Sequence, residues 1–209
     1  MAATQVLLKE RAALCDTFDQ YGADAPTLCE GWLTLDLAAH LVAREARSDA
    51  AIGLVVPAFA KHLQHVMDRY KARGYEPLVA MLRSGPPWMH RTGPLATANV
   101  NENFIHHEDI RRAAGEGPRV IDDEMDAILW RVLGFGARMS RKAVTGAALT
   151  LRTADGRERV VSTDGKAVTM TGMPGELSLY MSGRKEAADV VLEGEPVAIA
   201  IVRAAAFGV

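Results

Sequence analysis

Over residues 1–143 the apolar positions recur with a helical period, and after residue 146 they turn to alternation broken by Asp-Gly pairs. Residues 3–21 carry Val6, Leu7, Leu14 and Phe18 with charges between them, the pattern of an amphipathic helix. "GADAPT" breaks that period. The next predicted helix spans 34–47, with Thr34 as N-cap, Asp36 in the first turn, and Leu37 and Leu41 as its buried stripe. A third helical stretch runs over 49–72 with a bend near Pro57, and after "RGYEP" a short helix covers 76–84. "SGPPWMHRTGP", 84–94, cannot be helical throughout, because proline fixes φ and removes a donor. A fourth long helix, 95–114, stops at Gly115 with Pro118 just beyond, and a fifth, 122–143, is capped by Asp122.

The remainder reads differently. "ALTLRTADGRERVVST" predicts a hairpin around Asp155-Gly156, and "DGKAVTMTG" a strand behind a second Asp-Gly turn. "MPGELSLYMSGR" predicts a helix with Pro174 near its start, "ADVVLEG" a strand, and "EPVAIAIVRAAAF" a closing helix. The expected architecture is therefore an all-α domain, 1–143, followed by a small α+β domain, 146–209.

Composition narrows the function classes. The 209 residues are 49% hydrophobic and 24% charged, ordinary for a globular protein with a proper core. A formal net charge of -2 with scattered basic residues argues against a nucleic-acid partner. No stretch has the roughly 18 uninterrupted apolar residues of a membrane span, and the charged N-terminus is not a signal peptide. Cys15 and Cys29 are not spaced as a zinc knuckle or a disulfide framework, so they are expected to be reduced thiols in a cytoplasmic protein.

The chemistry concentrates in "NENFIHHEDIRRA", 101–113. At about 100° per residue, Glu102, His106 and Asp109 share an arc of roughly 60°. Ala98, Ile105 and Ile110 flank that arc, Leu95 and Ala113 extend it, and Asn101, Glu108 and Arg112 fall on the opposite, solvent-ready face. Burying a carboxylate and an imidazole is costly unless something pairs with them, and a metal ion would. Glu102 and His106 stand at i and i+4, the spacing at which one helix offers two ligands, and Asp109 is placed to accept a ring N–H from a ligand histidine. His107, about 100° further round, is expected to be structural or on the surface. His40 is the leading candidate for a third ligand, with His62, His65 and His90 competing. Arg44, one turn after His40, is a candidate substrate contact, and Trp32 is expected to pack in the core.

"GWLTLDLAAHL", 31–41, followed by "ENFIHHED", resembles the DinB-like metal-binding four-helix bundles, and more closely the branch that includes mycothiol-dependent maleylpyruvate isomerase. The family pattern falls on Gly31, Trp32, Asp36 and His40, then on Glu102, His106 and Asp109. "AAHLVARE" with "HHEDIRRA" is similar to an uncharacterised, actinobacterial-type metal-binding subfamily of that branch. The resemblance implies an up-down-down-up bundle, a metal held by His40, Glu102 and His106, and a sterol-carrier-like C-terminal domain whose "LxxxxSGR" element makes Arg184 a second candidate substrate contact.

Two histidines and one carboxylate leave a divalent metal with an open position; zinc is the first choice, with nickel and iron as alternatives. The resemblance implies mycothiol as thiol co-substrate, held by the metal as a thiolate that attacks an electrophilic substrate. The expected function is a thiol-dependent isomerase or S-transferase; the alternative is a non-catalytic metal-binding or sensing protein with a small-ligand domain. Hydrolysis would need Asp109 or Glu108 as base, and Glu108 is expected to point outward. Oligomeric state stays open, a homodimer being one option.

Overall fold

A computed structural model describes residues 3–47, 59–85 and 92–208. These fall into two compact units that meet in sequence at Gly117 and Pro118. The N-terminal unit contains α1 (Ala3–Tyr21), α2 (Thr34–Ala46), α3 (Ala60–Lys71), α4 (Tyr75–Ser84) and α5 (Gly93–Ala113). The C-terminal unit contains α6 (Asp123–Ser140), a 3-10 turn (Arg141–Val144), β1 (Ala147–Arg152), β2 (Glu158–Val160), β3 (Lys166–Thr171), α7 (Pro174–Met181), β4 (Val191–Gly194) and α8 (Pro196–Ala204). The predicted start of the third helix, the bend at Pro57, and Met89 and His90 of the proline loop lie outside the described residues.

The N-terminal core joins Leu14, Cys15 and Phe18 of α1 to Leu37, Leu41 and Val42 of α2, Leu63, Val66 and Met67 of α3, Leu78, Val79 and Leu82 of α4, and Ile110 of α5. Leu37 and Leu41 are the predicted stripe of α2. The cap differs from prediction: Leu33 is the N-cap residue and Thr34 the first helical one. The Leu33 N–H is satisfied from within the helix, donating to the Asp36 carboxylate at 3.0 Å. Thr34 is buried and donates its hydroxyl to the Gly22 carbonyl, which ties the start of α2 to the end of α1.

Three particulars of α5 depart from the helical wheel. Leu95 is 49% exposed and Ala98 is exposed, and Ala96, Asn99 and Val100 are buried in that part of the helix instead. Every position from Asn103 to Ile110 is buried, so no solvent-ready face exists along that stretch. Glu108, expected outside, is 0% exposed and is held by Arg111 and Arg112 of the next turn, each at 2.8 Å. A wheel assumes one partner surface; a helix enclosed on several sides needs partners for its charges as well.

In the C-terminal unit four strands form one mixed sheet in the order β2-β1-β3-β4. The β1–β2 and β3–β4 pairs are antiparallel, and β1 and β3 run parallel. The β1–β2 pair is the predicted hairpin, with Gly156 at φ +86° in its turn. Ala147, Leu149 and Leu151 of β1 and Val168 and Met170 of β3 face inward at alternate positions, against Leu177 and Tyr180 of α7 and Ala198 and Val202 of α8. Helix α6 is capped by Asp122 as predicted, its carboxylate accepting from the Met125 N–H at 2.9 Å. Where the sequence assigned α6 to the N-terminal domain, Leu133 and Ala137 of this helix lie in the core of the C-terminal unit. An amphipathic period says that a face is buried and not which neighbour buries it.

Leu37→Ala should lower the unfolding free energy by about 2–5 kcal/mol, the range for truncating a large buried aliphatic. Urea denaturation checks it, and a loss below about 1 kcal/mol would mean that Leu37 is not packed as described.

Candidate metal centre

The centre is assembled by α2, α5 and the segment 22–33 before α2. That segment is tied down by its backbone: Leu28 N–H donates to the Asp109 carbonyl of α5 at 3.0 Å, and Thr34 and Leu35 donate to Ala25 and Ala23 at 2.9 and 3.0 Å. Trp32 N–H closes a tight turn onto the Cys29 carbonyl at 2.9 Å, with Gly31 at φ +74°, a conformation that glycine adopts without strain. The turn sends Cys29 toward α5 and Trp32 toward α2. The Trp32 ring lies 5.1 Å from the His40 ring, centroid to centroid, and Trp32 also packs against the core as expected.

His40, Glu102 and His106 converge. Glu102 Oε1 lies 3.2 Å from His106 Nε2 and 3.7 Å from His40 Nε2, and the two rings are 5.2 Å apart, edge to face. One donor atom from each of the three residues lies within 4.8 Å of the other two, which makes the group a candidate metal-binding triad. Both histidines are buried, while the Glu102 side chain keeps 25% of its surface exposed. Access to the triad is therefore on the Glu102 side. Arg44 sits there too, with Nε 3.2 Å from Glu102 Oε1 and Nη1 donating to Asn99 Oδ1 at 2.7 Å.

On the other edge of the His106 ring, Nδ1 is 2.8 Å from Asp109 Oδ2. With Nδ1–H donating to that carboxylate, the Nε2 lone pair is directed at Glu102 and His40, the tautomer a metal ligand needs. The same Asp109 Oδ2 accepts from the Cys29 thiol at 3.2 Å. Cys29, His106 and Asp109 form a second candidate triad that shares His106 with the first. The sequence did not point to Cys29: it is 80 residues from Asp109, with α2, α3 and α4 between them, and only the Gly31 turn hints that its side chain is aimed.

The pKa directions favour a charged His106 beside a charged Glu102 and a neutral His40, so an ion at His106 Nε2 would take the place of a proton there. Burial alone would depress His106, but hydrogen bonds with Asp109, Cys29 and Glu102 overcome it and raise its pKa well above the usual value. Burial would raise Glu102, yet His106, His40 and Arg44 hold its carboxyl well below the ordinary range. His40 is shifted down, chiefly by burial, and so favours the neutral form that binds metals. Among the described residues its Nδ1 is buried without a hydrogen-bond partner, while its Nε2 faces Glu102.

The other candidates lie elsewhere. His107 is buried, not at the surface: Nδ1 is 2.9 Å from Glu10 Oε1 and Nε2 is 2.8 Å from Thr17 Oγ1, both on α1. His62 and His65 are exposed on α3, and among the described residues neither joins a candidate triad. Arg184 is in the C-terminal unit, where it donates to the Ser182 carbonyl at 2.6 Å. Glu108 is engaged by two arginines and Asp109 by His106 and Cys29, so neither is disposed to act as a hydrolytic base.

His107→Ala should cost about 1–3 kcal/mol in urea denaturation, because Glu10 is left buried without its ring donor. The thiols should also separate. Cys15 is fully buried, and burial pushes it up to about 11. A thiol reagent at about pH 8 should therefore react with Cys29 alone until the protein is unfolded; two fast thiols would contradict the burial of Cys15.

No protein-family model and no curated protein matches the chain. Among solved structures it is similar to the mycothiol-dependent maleylpyruvate isomerase, with a TM-score of 0.56 and 15% identity over 92% of each chain. It is similar also to a histidine-to-alanine mutant of that enzyme, with a TM-score of 0.57, again at 15% identity over 92% of each chain. At such identity the likeness is one of fold, and the chain has the helical-plus-α+β fold of mycothiol-dependent maleylpyruvate isomerase.

Proposed function

We propose that this protein binds a divalent metal ion, zinc first among the candidates, through His40, Glu102 and His106, and uses it in a thiol-dependent isomerisation or S-transfer. The observation that carries the proposal is the convergence of these three donors, with Asp109 behind His106 and, among the described residues, no fourth ligand in that group. A three-residue set of two imidazoles and one carboxylate is the composition of open, catalytic sites, whereas structural zinc sites are closed by four protein ligands. The solved structures of like fold, described as mycothiol-dependent and as isomerases, support mycothiol as the thiol. On this reading the N-terminal unit is a DinB-like bundle and the C-terminal unit a sterol-carrier-like domain.

The ion would supply Lewis acidity that keeps an incoming thiol ionised at neutral pH. The chain's own residues then have separable tasks. Asp109 holds the His106 ring by its Nδ1 proton, which fixes the Nε2 direction and raises its basicity. Trp32 walls the His40 ring. Arg44, now paired with Glu102, offers a guanidinium at the accessible edge for an anionic group of the thiol or the electrophile. Arg184 is a proposed second anion contact, carried by the resemblance alone.

His40→Ala should abolish tight metal binding, His107→Ala should leave it intact in the folded protein, and Asp109→Ala should weaken it about 10–100-fold. Metal analysis after dialysis reads all three, and metal loss only in the His107 variant would reverse the assignment. Cobalt-loaded protein should then change its visible spectrum on addition of mycothiol. An unchanged spectrum would leave a metal-binding protein without thiol chemistry.

A further inference from the structure

His106 is the only residue shared by the two candidate triads. Its Nε2 edge faces Glu102 and His40, and its Nδ1 edge faces Asp109 and Cys29. The Nδ1 edge differs in kind. Asp109 is 0% exposed, the Cys29 side chain contributes sulfur, and the backbone of both residues is held by the same strap, through Leu28 N–H on the Asp109 carbonyl and Trp32 N–H on the Cys29 carbonyl. Sulfur, imidazole nitrogen and carboxylate oxygen together form a set that favours soft, thiophilic ions such as cadmium over magnesium or calcium. The separations of 2.8 Å between His106 Nδ1 and Asp109 Oδ2 and 3.2 Å from that oxygen to Cys29 Sγ need only a small opening to admit an ion bonded at about 2.0–2.3 Å to each.

We propose that the Nδ1 edge of His106 is a second, thiophilic cation position, formed by Cys29 Sγ, His106 Nδ1 and Asp109 Oδ2, and that filling it withdraws His106 from the first. An ion entering there displaces the Cys29 thiol proton to solvent, and the ring proton leaves Nδ1 and is taken up on Nε2. A neutral imidazole then carries its remaining proton on Nε2, donated toward Glu102, and no longer offers that nitrogen as a ligand. The two positions are thus opposed through one ring. An excess of a soft metal would switch off the site that the proposed function depends on, without touching the accessible edge at Glu102 and Arg44. That consequence rests on the proposed function of the first triad, whereas binding at the second position, which shares only His106 with it, does not require His40 or Glu102.

The probe is cadmium, titrated into the reduced full chain. Bound cadmium should give ultraviolet sulfur-to-metal charge-transfer absorption that saturates at one equivalent. That band should vanish in Cys29→Ser and in Asp109→Asn, which keeps the side-chain volume, and persist in His40→Ala. Cobalt preloaded on the full chain should lose its visible bands as the cadmium band grows. No charge-transfer band in the native protein would overturn the proposal, and so would a band retained in Cys29→Ser or lost in His40→Ala. Persistence of the cobalt bands through saturation would overturn the opposition between the positions. If His40→Ala instead keeps cobalt unchanged, the first site fails while the cadmium result still decides the second.

Discussion

Helix α5 buries an unbroken run from Asn103 to Ile110 that includes His106, His107, Glu108 and Asp109. Each of those polar side chains would cost about 1–3 kcal/mol if left without a partner, and more where it is charged. That constraint organises the N-terminal unit. Glu10 and Thr17 of α1 close on His107, and Arg111 and Arg112 close on Glu108 from the next turn. Asp109 is met on its side chain by His106 and Cys29 and on its backbone by Leu28, so the segment before α2 is laid against α5 by hydrogen bonds. A buried network of this kind specifies one arrangement of helices, since any slip strands a donor or a charge.

His106 is the member of the run whose needs the protein meets on one edge more firmly than on the other. Asp109 takes Nδ1 at 2.8 Å, while Nε2 faces Glu102 at the longer 3.2 Å, with His40 beyond and partly open surface at Glu102. His40, which burial keeps neutral, and His106, anchored at Nδ1 by Asp109, bring two imidazole nitrogens to one carboxylate, the donor types of a metal site. Arg44 pairs with Glu102 from the accessible side and adds to the His106 and His40 contacts that keep the carboxylate charged. The same ring therefore links a structural network to a site with reactive potential, and a change on either edge is felt at the other.

Much of this was legible in the sequence, for reasons that can be named. Helix positions followed from period and from caps such as Asp122, and Glu102, His106 and Asp109 followed from three- and four-residue spacings, which are local. His40 was reached by its place on an inward face together with the family resemblance, and the structure puts it beside Glu102 and His106. Glu108 was misplaced because its partners, Arg111 and Arg112, look like surface charges until the helix is seen to be enclosed. Cys29 was invisible as a site neighbour because its contact with Asp109 is made by tertiary structure alone. The allegiance of α6 to the C-terminal unit is likewise a matter of which apolar surface receives Leu133 and Ala137.

The central claim is that His40, Glu102 and His106 hold a metal with one position left for a thiol. X-ray absorption at the zinc edge, on full-length protein carrying one equivalent of zinc, addresses it most directly. The account predicts a resting shell of nitrogen and oxygen donors with the outer-shell signature of two imidazoles, and one sulfur entering when mycothiol is added. A resting shell that already contains sulfur, or a shell unchanged by the thiol, would contradict it.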